Sequence, residues 1–115
     1  MAADKYQQLV ERLAFKTDQG EVDWREAAGP DTFQVSFANY SITLSLSQNR
    51  EGVTLYVISI LNSEGRTVDS FSDEDLEGRG AEYFRIMGEL YHKARRQALG
   101  VDKALDEILG QLDPF

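Results

Sequence analysis

Five carboxylates crowd one short stretch of the chain: Asp69, Asp73, Glu74, Asp75 and Glu77. Hard cations take oxygen ligands, so a carboxylate set this dense is the raw material of a Ca²⁺ or Mg²⁺ site. Read as a calcium loop, the sequence from Asp73 to Gly78 begins in the right manner. The pattern then breaks. Glu77 holds the fifth position, where Asp or Asn is usual, and Phe84 holds the twelfth, where a bidentate glutamate is required. A solvated acidic loop is the competing reading. A metal-dependent hydrolase or nuclease would instead gather Asp69, Asp73 and Asp75 around an ion, with His92 nearby. His92 is the single histidine and there is no cysteine, so a zinc site would have to be mostly carboxylate.

Other chemistries find less support. No serine is bracketed by glycines at a strand-to-helix turn, as a nucleophile elbow requires. Gly78-Arg79-Gly80 lacks the third glycine of a dinucleotide fingerprint, since Tyr83 stands in its place, and no lysine follows to complete a phosphate loop. Lys93, Arg95 and Arg96 form the one basic cluster. At a helix end they would offset the negative end of the helix dipole, worth about 0.3 to 1 kcal/mol each; a contact to an anion or acidic peptide is the sharper alternative. Asn39-Tyr40-Ser41 has the form of a glycosylation acceptor and reads as a hairpin turn.

The elements that must position these residues follow from hydrophobic period. Asp4 can cap a helix over residues 4–16, in which Tyr6, Leu9, Val10 and Leu13 recur at helical spacing. Gly20 ends it, and the period falls to two. Val22 and Trp24 alternate with charged residues, then Phe33, Val35 and Phe37 with polar ones. Tyr40, Ile42, Leu44 and Leu46 alternate strictly with Ser41, Thr43, Ser45 and Ser47, which describes a half-buried strand with a hydroxyl-lined outer face. The strand over residues 53–61 is apolar on both faces: Val53, Leu55, Val57 and Leu61 on one, Tyr56, Ile58 and Ile60 on the other. Assigning Leu55 and Val57 to the core, with Trp24, Phe33, Val35, Ile42, Leu44, Met87 and Leu90, leaves Tyr56, Ile58 and Ile60 as an outward patch for a partner. Residues 67–71 can form a last strand, with a bulge or an early exit expected because Val68 and Phe71 differ in parity. Ser72-Asp73-Glu74-Asp75 has the form of a helix start, a hydroxyl followed three residues later by a carboxylate, but Gly78 and Gly80 would keep any helix before Ala81 short, and residues 72–80 read as a loop. A long helix runs from Ala81 to the stop at Gly100, and Asp102 can cap a second one carrying Leu105, Ile108, Leu109 and Leu112.

Composition sets the outer bounds. The chain has 115 residues, a length suited to one domain over residues 1–115, and 42% of them are hydrophobic, enough for one core. Without cysteine there are no disulfides. No apolar run approaches the roughly 20 residues that cross a bilayer, and the first residues lack the features of a signal peptide, so a cytoplasmic, membrane-free location is expected. The net charge of −8 repels phosphate backbones and anionic lipid, which argues against direct nucleic-acid binding. No cofactor is expected.

Three segments carry a resemblance: Phe37-Ala38-Asn39-Tyr40-Ser41-Ile42-Thr43, Asp69-Ser70-Phe71-Ser72-Asp73, and Ala94-Arg95-Arg96-Gln97-Ala98-Leu99-Gly100-Val101-Asp102-Lys103-Ala104-Leu105. With them the chain resembles a family of small acidic, largely uncharacterised bacterial or phage proteins, and the resemblance implies no activity. The reading is therefore a two-layer α+β domain, an antiparallel meander of four or five strands with one amino-terminal and two carboxy-terminal helices on one face. The expected function is non-catalytic binding, as a small acidic regulator, neutraliser or adaptor acting on a protein with a basic surface. Asp69, Asp73, Glu74, Asp75 and Glu77, with Tyr56, Ile58 and Ile60, are the expected contact residues, and a second copy of the chain is a further expected partner.

Overall fold

In a computed structural model that describes residues 4–76 and 80–113, the chain runs α1 (Lys5–Asp18), five strands, a single 3-10 turn (Asp73–Asp75), α2 (Gly80–Ala98) and α3 (Val101–Leu112). The strands are β1 (Arg25–Glu26), β2 (Phe33–Ser36), β3 (Tyr40–Gln48), β4 (Thr54–Asn62) and β5 (Thr67–Ser72). They lie in the order β1-β2-β3-β4-β5, every neighbour antiparallel, which makes the α+β meander that the hydrophobic periods predict. Asp4 does cap α1, its carboxylate accepting the Gln7 N–H at 2.7 Å, and the helix continues past residue 16 to Asp18.

The loop between β3 and β4 decides what faces inward. Gln48 stands opposite Thr54, so an odd number of residues intervenes and even-numbered positions pair with even-numbered ones. The apolar set of β3 is even. Leu44 therefore sits opposite Ile58, Ile42 opposite Ile60 and Leu46 opposite Tyr56, and directly opposed residues share a face of the sheet. This reverses the expected parity of β4. Ile58 is fully buried, and Tyr56 and Ile60 lie on the same inward face, while Leu55, Val57 and Leu61 point outward beside the hydroxyls of β3. The Tyr56 ring lies 5.2 Å from that of Phe84 and 5.7 Å from that of Tyr91, both on α2. Gly88 makes this approach feasible, because a Cβ there would stand only 3.2 Å from the Tyr56 hydroxyl. Tyr56, Ile58 and Ile60 are thus core-facing residues and not an outward contact patch.

The expected bulge is present. Leu61 pairs with Thr67 but Ile60 pairs with Asp69, and this shift restores the parity that turns Phe71 inward opposite Ile58. One continuous core results, from Val10 and Leu13 of α1 through Trp24, Phe33, Val35, Ile42, Leu44, Ile58 and Phe71 to Tyr83, Met87, Leu90, Tyr91 and Ala94 of α2. The carboxy-terminal end of α2 is tied down by Gln97, whose amide donates to the Val22 carbonyl at 3.1 Å and accepts the Trp24 N–H at 3.2 Å. The Trp24 indole N–H in turn donates to Thr17 Oγ1 at 3.0 Å. Among the described elements, only α1 and α2 cover the sheet. Gly100, at φ +65°, both ends α2 and precedes the first residue of α3, so Asp102 is not the cap of that helix, and α3 buries none of its residues. The protein is correspondingly elongated, 56 × 32 × 30 Å. No helix among the described residues is long and apolar enough to cross a membrane.

Parity is directly measurable. Truncation of the buried Leu44 to alanine is expected to cost about 2 to 5 kcal/mol by urea denaturation. Val57→Ala, on the open face of the neighbouring strand, is expected to cost under about 1 kcal/mol, and equal losses would contradict the register.

Candidate functional site

The acidic stretch is spent on the fold. Asp73 is only 4% exposed, and its Oδ1 accepts the Tyr56 N–H at 2.9 Å, joining the end of the β5 connection to β4. This is a correction to its expected place on a contact surface. Asp75 Oδ2 accepts the Ser72 N–H at 2.8 Å across a capping box, so residues 73–75 form a closed helical turn where an open loop was expected. Asp69 sits on the inward face of β5 and accepts the Tyr6 hydroxyl at 2.5 Å. Glu74 is exposed and accepts from the Asn49 amide at 3.2 Å. Glu77 lies outside the described residues. Each of the four described carboxylates thus has a different partner, and no group of three or more His, Cys, Asp or Glu among the described residues is placed to hold a metal ion.

Tyr6 feels this arrangement. Its hydrogen bond to Asp69, followed by the charge of that carboxylate, raises the phenol above its ordinary value near 10. Tyr91 is raised as well, chiefly by burial, and its hydroxyl donates to the Asp31 carbonyl at 2.8 Å. Asp31 itself stands at φ +51°, a left-handed conformation that aspartate tolerates better than most side chains.

The basic cluster lies at the junction of three helices. Lys93 pairs with Asp18 of α1 and Arg96 with Asp102 of α3, both at half-exposed positions where ion pairs contribute roughly 0 to 1 kcal/mol. These charges therefore act as latches between helices. His92 is exposed, and lines with Arg95, Glu89 and Val101 an open depression of about 370 Å³ between α2 and α3.

The feature that the sequence pattern disguised is α3. Leu105, Ile108, Leu109 and Leu112 fall at i, i+3, i+4 and i+7, the spacing of a core-facing stripe. They are nevertheless 45%, 55%, 59% and 54% exposed. Asp102, Asp106 and Glu107 against the lone Lys103 make the rest of the helix acidic. A helix of 12 residues is marginal in water on its own. No described element covers this apolar stripe, which is left in water. Periodicity alone could not separate it from a core helix. The signal was Gly100, whose left-handed turn sets the direction in which α3 leaves α2. Comparison with known proteins gives no family for the chain: no family model, no curated protein and no solved structure matches it.

Stability measurements should rank the carboxylates. Asp73→Ala strands the Tyr56 N–H and is expected to cost about 1 to 3 kcal/mol, Asp75→Ala about 1 kcal/mol through the lost cap, and Glu74→Ala close to nothing. A flat ranking would return these residues to the surface role. The tyrosines set the alkaline limit. Because their phenols are raised in the fold, the stability they contribute is fully present below pH 10 and is lost as pH climbs through the folded values. Urea midpoints taken across that range should fall, and Tyr91→Phe should flatten the fall; an unchanged slope would show that Tyr91 does not titrate with unfolding.

Proposed function

We propose that the protein is a non-catalytic binding module that lays α3 into an apolar groove of a protein partner with a basic rim. The single observation carrying this reading is the exposure of the whole stripe Leu105, Ile108, Leu109 and Leu112 on a helix with no buried residue. Complete burial of a leucine or isoleucine yields about 1.5 to 3 kcal/mol, and about half of that is still available at each of the four. Helix-in-groove recognition uses anchors at this spacing. Three carboxylates against one lysine on α3, in a chain of net charge −8, favour a basic rim and speed encounter with it. Such a module suits a regulator, neutraliser or adaptor. The hydrolase reading has no gathered carboxylate set among the described residues to support it.

The test compares affinity capture by the wild type and by the double variant Ile108→Glu/Leu109→Glu. Neither residue is buried, so circular dichroism and the urea midpoint should stay unchanged. A partner retained by the wild type, released by raised salt and lost with the double variant is the expected outcome. An identical set of retained proteins for both would overturn the assignment of α3.

A further inference from the structure

The sheet has a second face that no described element covers. Both α1 and α2 pack on its inward side, through Val10, Leu13, Tyr83, Met87 and Leu90. The outward side carries Leu55, Val57 and Leu61 along β4, surrounded by serine and threonine hydroxyls and Gln34. Its charge is unusual for this molecule. In a chain of net charge −8, no outward strand position is a carboxylate, and Arg25 on the two-residue edge strand is the one charged group. Asp69, the one carboxylate within β5, is on the inward side opposite Ile60.

We propose that this open face is a homodimer interface, packed face to face against the same face of a second copy. The charge pattern selects that occupant. The carboxylates beside the face are engaged, Asp23 with Arg25 at 2.8 Å and Asp75 with Ser72, so a basic partner finds no unpaired carboxylate there and an anionic partner no unpaired arginine. A second acidic copy finds here a surface on which two chains of −8 meet with no carboxylate at a strand position. With the two faces fully overlapped, the area reaches the low end for a specific association, as suits a weak dimer. The thirty strand residues, at about 3.4 Å per residue and about 4.8 Å between strands, span roughly 500 Å² of plane per copy. The pair then covers about 1,000 Å², the lower bound for a specific association. In aligned packing the two β4 stripes cross at about 30°, bringing Val57 of one copy near the centre of the other's stripe. The hydroxyls impose no net penalty where they pair locally, as the Ser59 and Ser70 Oγ atoms already do at 2.7 Å, or bridge through water. Edge-to-edge pairing is disfavoured by the shortness of β1 and by the bulge in β5.

Sedimentation equilibrium on the full chain from micromolar to submillimolar concentration decides the matter. The wild type should approach twice 13.0 kDa, more completely at raised salt, which screens the repulsion between the remaining acidic surfaces. Val57→Lys should weaken the dimer by about 100-fold, because two lysines would meet in a desolvated centre. Thr43→Lys, at a polar position of the same face, should do the same and carries the test should Val57→Lys fail to fold. A wild type of one chain's mass throughout would overturn the proposal, as would a dimer that survives both lysine variants. Dissociation by Ile108→Glu/Leu109→Glu alone would place self-association on α3 and overturn it too, whereas a partner lost with that variant while the dimer persists keeps the two surfaces separate.

Discussion

The side-chain amide of Asn49 fixes which face of β4 meets the helices. Its Oδ1 accepts the N–H groups of Glu51 and Val53 at 2.9 and 3.1 Å, and Gly52 at φ +78° closes the turn. That geometry commits the loop to an odd length and aligns Leu44 with Ile58. Everything inward follows from it, including the place of Tyr56 beneath α2 and the reach of Asp73 to the Tyr56 N–H. The same device recurs at Asn62, whose Oδ1 accepts from Glu64 and Arg66, with Gly65 at φ +80°. Asn49-Arg50-Glu51-Gly52 and Asn62-Ser63-Glu64-Gly65 are one turn used twice. Uncorrected, the second turn would set Ser70 inward and Phe71 outward. The bulge near Val68 adds the residue that reverses this.

Above the sheet, α2 is the shared neighbour of nearly every other element. Its apolar face supplies Tyr83, Met87, Leu90, Tyr91 and Ala94 to the core, and Gly88 supplies space where the Tyr56 ring comes closest. Gln97 then acts on the chain entering β1 as an adjacent strand would, giving one donor and one acceptor to Val22 and Trp24. A short β1 is adequate because this amide, and not a long ladder, holds its approach.

Much of the architecture was legible. The strict alternation of β3, the cap at Asp4 and the bulge in β5 each have a local cause that the residue types display. Three features did not yield to periodicity. A strand apolar on both faces has no intrinsic inside, so Tyr56, Ile58 and Ile60 were assigned outward; the information lay in the length of the Asn49 turn. A carboxylate-rich stretch looks the same whether it faces water or caps backbone N–H groups. Asp73 is indistinguishable from a ligand until the Tyr56 N–H is seen to need an acceptor, whereas the spacing of Ser72 and Asp75 already has the form of a helix start. Likewise the stripe of α3 has the pattern of a core helix, and only the direction taken after Gly100 separates the two.

The detachment of α3 from the core divides the chain into two regimes of constraint. A substitution at Leu44 or Ile58 is felt by the whole domain, whereas one at Leu105, Ile108, Leu109 or Leu112 alters a surface on which folding does not depend. Opening of α3 is likewise a local event that leaves the sheet and α2 intact. Sequence change can therefore accumulate along this helix while the scaffold that carries it stays the same.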